Sequence, residues 1–264
     1  MKVVYKAALF LLIFLGVERF CHWQTDGFAL QKVLTRMEGG AQKKADPVVI
    51  EALSQKFFYL ASGGSCYAFQ SADGKYVLKL FKQHHLHGKK RERVFESCKL
   101  AFQEFKEETG LLCVHLNRDE ELKTSFTLVD KLGIAHLLFA DDVQFLLQKK
   151  AEMAYSHIDR LMAENNIEGA KRAVDQILLL PAQIARKGIK DLDPNVKTNL
   201  GFIGDRAVKI DVGPFVRDAR FTDERYVGKQ LVKPKRQLQN WLKSHYPELY
   251  QYLKNQDSKD ESLR

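Results

Sequence analysis

The chain has 264 residues, with 42 Lys and Arg against 33 Asp and Glu, a formal net charge of +9 and a pI near 9.2. Hydrophobic residues make up 45% and charged residues 28%, with 16 Gly and 6 Pro, which excludes wholesale disorder, collagen and low-complexity sequence. Four cysteines, none at C-x-x-C spacing, exclude a disulfide scaffold, and the basic balance favours anionic partners such as nucleotide, nucleic acid or acidic lipid.

Residues 1–23 read as a signal or anchor segment outside the fold. Lys2 and Lys6 precede an unbroken apolar run from Ala7 to Val17. That is a basic n-region with an h-region of signal-peptide length, short of the ~20 residues of a full membrane span. No small-x-small cleavage site follows. The expectation is an uncleaved anchor or an inefficient signal that associates with a membrane through residues 7–17; the side and export are left open, and for an anchor Lys2 and Lys6 favour a cytoplasmic N-terminus. The alternative is an apolar terminal helix packed on the domain.

Residues 24–55 read as a helical extension. A short helix pattern covers 27–38 and ends at Gly39-Gly40. The polar linker AQKKADP follows, and Asp46 then caps a helix that has Pro47 at its first position and runs to about Ser54. From Lys56 the character changes to β-rich runs broken by glycine: KFFYLASGG, CYAFQSADG and KYVLKLF, with Asp73-Gly74 as a hairpin signal. A helix is predicted from about Lys89 to Glu108, with Val94, Cys98, Ala101, Phe102 and Phe105 on one face and Gly110 as its stop. Strands are predicted over Leu111–Leu116, Ser125–Leu132 and Val143–Gln148. Residues 153–187 are mostly helical, with a kink at Pro181 and a C-cap at Gly188. Leu200–Ile203 and Ala207–Ile210 form a tight hairpin around Gly204-Asp205. A basic helical tail spans Thr222–Leu253, and 254–264 is a polar end. Cys66, Cys98 and Cys113 lie in periodic segments and are expected to be buried thiols. The order predicts an α+β protein of two lobes, an antiparallel sheet with one helix over 56–152 and a small helical lobe over 153–253.

Three separated pieces carry chemistry. The loop Ser62-Gly63-Gly64-Ser65 has adjacent glycines whose backbone N–H groups can approach a phosphate. The strand KYVLKLF places Lys79 beside Val77 on one face, between apolar Leu78 and Leu80, where a lysine wants an anion. The loop GIKDLDPNVKTN holds Asp191, Asp193 and Asn199, and the apolar strand VKIDVG ends in Asp211 and Gly213. Asn199 and Asp211 flank the same hairpin, so their side chains can converge at its open end. Such oxygen ligands suit Mg²⁺ bound along with a nucleotide's phosphates.

Residues 56–215 resemble the protein-kinase-like superfamily. SGGSCYAF is similar to the glycine-rich loop, with Gly63, Gly64 and Ser65 at the phosphates, and VLK is similar to the strand-three V-A-I-K motif, which makes Lys79 the phosphate lysine. The helix after it takes the place of the C-helix, with Glu104 as the glutamate that pairs with Lys79. FLLQKKAE, with Gln148, resembles the last strand and hinge, where backbone groups meet adenine. KDLDPNVKTN resembles the catalytic loop H-R-D-x-x-x-x-N and DVG resembles D-F-G, implying Asn199 and Asp211 as Mg²⁺ ligands.

The chain also departs from the pattern. Ala61 and Cys66 stand where two glycines would fall, and Ile189-Lys190 stands for His-Arg. Asp191 is eight residues before Asn199 and Asp193 six, where the motif has five, so both are candidates for the acceptor-facing carboxylate. Asp191 is modestly favoured by its place directly after GIK, while Asp193 has the closer spacing. Only 53 residues follow Asp211 (264 − 211), and no A-P-E segment is visible. The resemblance implies a minimal or atypical kinase that uses ATP and Mg²⁺ on an acceptor the sequence does not identify. The alternative is a membrane-tethered pseudokinase that binds nucleotide or protein. The basic runs at 79–93 and 229–236 read as solvated faces, and no RNA- or DNA-binding motif is present.

Overall fold

The computed structural model describes residues 2–35, 37, 43–44, 46–117, 120–122 and 124–262, so the expected stop at Gly39-Gly40 lies outside the described residues. The chain divides into two compact units, residues 1–91 with 112–148, and residues 92–111 with 149–264.

The first unit opens with helix α1 (Lys2–Thr25). Its described side chains from Leu9 to Trp23 are all exposed, Phe10 at 73% and Leu12 at 67%, so the apolar side chains from Leu9 to Val17 are not packed on the domain. No helix among the described residues is long and apolar enough to cross a membrane. Gly27 then turns the chain at φ 72°, and Phe28 enters the core edge-on to Tyr67 and Phe69, at 5.2 and 5.4 Å. The helix expected over 27–38 is therefore replaced by one 3-10 turn, Leu30–Lys32, and a bridge from Leu34 to Val143. After β1 (Lys43–Lys44) comes α2 (Pro47–Leu53), where the Asp46 carboxylate accepts from the Val48 N–H.

The next elements are β2 (Lys56–Ser62), β3 (Cys66–Ser71), β4 (Tyr76–Phe81), α3 (Gly88–Glu104), α4 (Lys106–Thr109), β5 (Leu111–His115), β6 (Glu120–Glu121), β7 (Ser125–Val129), β8 (Ala135–Phe139) and β9 (Phe145–Lys149). Seven of the strands form one sheet in the order β5-β9-β4-β3-β2-β7-β8. The sheet is mixed rather than antiparallel, because β2 and β7 pair in parallel, from Lys56 opposite Thr127 to Phe58 opposite Val129. The two-residue strands β1 and β6 form a second parallel pair. Strand β8 was not anticipated. The strand predicted to Leu132 ends at Val129 because the Asp130 carboxylate accepts from the Leu132 and Ile134 N–H groups and turns the chain, with Gly133 at φ 83°. Phe57, Phe69, Leu78, Leu80, Phe126 and Phe145 fill the core, closed by Val49 and Leu53 of α2.

Helix α3 begins in the first unit and continues in the second. The single helix expected to Glu108 breaks at Phe105, whose ring meets Phe215 at 4.8 Å, and α4 ends at Gly110 in the left-handed conformation. The rest of the second unit is β10 (Glu152–Met153), α5 (Ala154–Ala163), α6 (Ile167–Arg186), β11 (Ile189–Asp191), α7 (Val196–Asn199), β12 (Leu200–Ile203), β13 (Arg206–Lys209), β14 (Phe215–Arg217), α8 (Glu224–His245) and α9 (Pro247–Ser262). Pro181 sits inside α6 without ending it, and Gly188 leaves it at φ 72°. Helix α9 carries the chain through most of the segment expected to be a polar end. Cys98 and Cys113 are buried, Cys66 is half-buried and Cys21 is exposed, and none of the four is in a disulfide.

Candidate active site

In the first unit, Ser62, Gly63, Gly64 and Ser65 connect β2 to β3. The Gly63 N–H donates to the Cys66 carbonyl at 2.9 Å. The loop's oxygens are gathered by a lysine that sequence reading missed. Lys82 Nζ donates to Ser62 Oγ at 2.7 Å and to the Gly63 carbonyl at 2.6 Å, and its N–H donates to the Ser65 carbonyl at 2.8 Å. The ammonium lies 4.3 Å from the Tyr67 ring centroid, and burial pushes it below the ordinary lysine range. Lys79, two residues before the strand's end, is half-buried opposite Ala68, while Leu78 and Leu80 are fully buried. Gln148, near the end of β9, is also buried.

In the second unit, Gly188 redirects the chain from α6 into β11, which pairs antiparallel with β14 and sets Asp191 opposite Phe215. Asp191 is buried and its carboxylate is fully engaged. Oδ2 accepts from Lys209 Nζ at 2.5 Å, and Oδ1 accepts from the Asp193 N–H at 2.9 Å. Its carbonyl accepts from Gln230 Nε2 at 2.8 Å. Burial pushes the Asp191 carboxyl up, and the Lys209 ammonium opposes that shift. Lys209 is 2% exposed and also donates to the Asp193 carbonyl at 2.8 Å. Desolvation of a buried pair offsets much of its attraction, so its chief effect is to fix the loop.

Asp193 is different. It is half-buried, and its two oxygens accept from different elements. Lys233 of α8 donates to Oδ1 at 2.9 Å and Asn199 Nδ2 to Oδ2 at 2.9 Å. Asn199 Nδ2 also donates to the Asp193 carbonyl at 3.0 Å. Lys233 first, then Asn199, holds the Asp193 carboxyl below the usual carboxylate range despite partial burial. The Asn195 side chain caps α7 by accepting from the Lys197 N–H, which brings Asn199 to the start of the β12–β13 hairpin. Leu200 pairs with Lys209, and the Ile210 N–H donates to the Asn199 carbonyl at 2.9 Å. Asp211, the next residue, is exposed, and its Oδ1 accepts from the Gly213 N–H at 3.1 Å.

The segment after Asp211 is clamped by a serine that no motif flagged. Ser97 Oγ on α3 donates to the Val212 carbonyl at 2.5 Å and accepts from the Phe215 N–H at 2.8 Å. Three glutamates at the end of α3 and in α4 each meet a cation. Glu104 accepts from Arg217 at 2.6 Å, Glu107 from Arg206 at 2.9 Å and Glu108 from Lys187 at 2.6 Å. Of the residues singled out from sequence, Asp191, Asp193 and Asn199 thus form one bonded cluster in the second unit. Asp211 follows from the hairpin register, and Glu104 ties α3 to β14. Among the described residues no three His, Cys, Asp or Glu side chains form a metal-ligating group. No family model matches the chain, and no curated protein matches it.

Proposed function

We propose that the chain is a minimal phosphotransferase that passes the γ-phosphoryl group of ATP to a hydroxyl acceptor. The observation that carries this reading is the Asp193–Asn199 pair. One amide bridges the carbonyl and carboxylate of Asp193 at the end of a hairpin whose next exposed side chain is Asp211. A carboxylate for the acceptor beside an amide and a second carboxylate for a hard cation is the set that phosphoryl transfer needs. Asn199 and Asp211 supply oxygen atoms, and two protein ligands suffice for Mg²⁺, which keeps waters and phosphate oxygens as its other partners. Bound there, the ion supplies charge neutralisation at the phosphates. Gly63, Gly64, Ser65 and Lys79 are the phosphate contacts in this reading, and the backbone around Gln148 meets the adenine. Glu104 must leave Arg217 to serve Lys79.

The acceptor-facing role falls to Asp193 rather than Asp191. Each oxygen of both carboxylates accepts a hydrogen bond, but Asp191 is buried against the Lys209 ammonium, whereas Asp193 is half-exposed and its carboxyl is held below the usual carboxylate range. Asp193 orients the acceptor hydroxyl and takes its proton. The hydroxyl oxygen forms a bond to the γ-phosphorus, and the bond to the bridging oxygen breaks, with ADP keeping the electron pair. Little proton transfer is needed early in a loose transition state, so a weakly basic carboxylate is adequate. The apolar run 7–17, whose side chains from Leu9 to Val17 are all exposed and which follows Lys2 and Lys6 in the sequence, holds the chain at a membrane surface. At ~1.5 Å per residue, eleven helical residues cover about half of the ~30 Å hydrocarbon core.

The pseudokinase reading draws on Lys82, which fills the acceptors of the glycine loop, and on the Glu104–Arg217 pair. Asp193→Asn separates the two. The phosphotransferase loses ATP turnover, measured as hydrolysis or transfer across a broad acceptor panel, by ~10²-fold or more while nucleotide binding persists. A wild-type rate no higher than that of Asp193→Asn rejects the enzyme.

A further inference from the structure

Beside Asp193 the second unit carries an open cleft of about 450 Å³. Four cations line it: Lys190, Arg220, Lys229 and Lys233. Phe221 and Tyr226 form an aromatic wall, with ring centroids 5.8 Å apart. The wall carries cations on its rings. Lys229 lies 4.4 Å and Arg220 5.6 Å from the Tyr226 centroid, and Lys190 lies 6.0 Å from that of Phe221. Two of the four cations are already matched, Arg220 by both oxygens of Asp218 and Lys233 by Asp193. Lys190 and Lys229 form no ion pair within 4 Å among the described residues, although the Asp218 carboxylate feels the charge of Lys190 and the Asp223 carboxylate that of Lys229. Asp191, the acidic residue in the lining, is buried and matched by Lys209. The lining is therefore net positive, with two ammonium groups that belong to no ion pair within 4 Å.

We infer that this cleft binds a small molecule that carries a phosphate group and that, if the phosphotransferase reading holds, this molecule is the acceptor. Its volume is within the ~300–1,000 Å³ of small-ligand sites. Two ammonium groups match the charge of a phosphate monoester, and the aromatic wall offers an apolar face to the carbon skeleton. Lys233 both lines the cleft and holds the Asp193 carboxylate, and Leu192 and Pro194 on either side of Asp193 line it too, so the acceptor role requires a ligand anchored here by phosphate to extend its free hydroxyl toward Asp193. Transfer onto it would yield a bisphosphorylated product and ADP.

The test is calorimetric titration of the full chain with glycerol 3-phosphate and glucose 6-phosphate, each against its unphosphorylated parent, and with an aspartate-rich peptide. The Lys190→Gln/Lys229→Gln variant removes these two charges from half-buried and exposed positions. A phosphate ester should bind the wild type, its parent should not, and the variant should weaken binding about tenfold or more, a loss of ~1.4 kcal/mol. Equal affinity in wild type and variant, no binding at millimolar ester, or binding of the peptide alone overturns the inference. Transfer from ATP is measured separately. An ester that binds in the cleft of a protein that also binds ATP, yet receives no phosphoryl group, overturns the acceptor role. Loss of ATP binding overturns the phosphotransferase reading and leaves the cleft result standing.

Discussion

Lys209 is the most consequential single residue in the second unit. Its ammonium is buried between the Asp191 carboxylate and the Asp193 carbonyl, so it fixes both ends of the loop that presents Asp193. Removing one partner of such a pair leaves an uncompensated buried charge. Lys209→Met should cost about 3–5 kcal/mol in urea unfolding, and adding Asp191→Asn, which keeps an acceptor for the Asp193 N–H, should restore part of that loss. A double variant as unstable as the sum of the two single variants would show that the pair is not coupled. Lys209, the last residue of β13, carries the same signal as Lys79, a lysine between apolar neighbours, here Val208 and Ile210, and it went unread. The Asp193–Asn199 relation was legible from spacing. Ser97, Lys82 and Lys233 were not, because their partners lie on other elements and in two cases are backbone atoms, which leave no mark in the sequence.

The elements that end in local chemistry were readable. Asp46-Pro47 opens α2, Gly74 turns at φ 72° after Asp73, Gly110 stops α4 and Gly188 leaves α6. Long-range pairing was not. Nothing in KFFYLAS or SFTLV says that β2 and β7 run in parallel, and the helical pattern at 27–38 gave way to burial of Phe28 in the sheet core. The β10–β12 pair rests on a close approach. A Cβ added at Gly201 would sit 2.6 Å from the Glu152 carbonyl oxygen and 2.9 Å from the Ala151 Cβ. Gly201→Ala should therefore destabilise the chain by about 1–3 kcal/mol, since backbone must move to accept it. Gly64→Ala, where nothing lies within 4 Å, should leave the melting temperature unchanged. Circular-dichroism melts of the two variants check this, and equal stability would contradict the packing described for β12.

At the scale of the whole molecule, the α+β composition and a unit boundary at Gln148–Lys149 frame two sets of functional candidates. The loop glycines, Lys79 and Gln148 belong to one unit, and Asp193, Asn199 and Asp211 to the other. The proposed activity requires both sets to act on one nucleotide. A ligand that binds only the folded chain must stabilise it, by about 2.7 kcal/mol at a hundredfold excess over its Kd. The most direct measurement is the melting temperature of the full chain in detergent with ATP and Mg²⁺, with ATP and a chelator, and again for Asp211→Ala. The melting temperature should rise with ATP and Mg²⁺, and the Mg²⁺-dependent part of that rise should disappear in Asp211→Ala. No shift at millimolar nucleotide would contradict both the phosphotransferase and a nucleotide-binding pseudokinase.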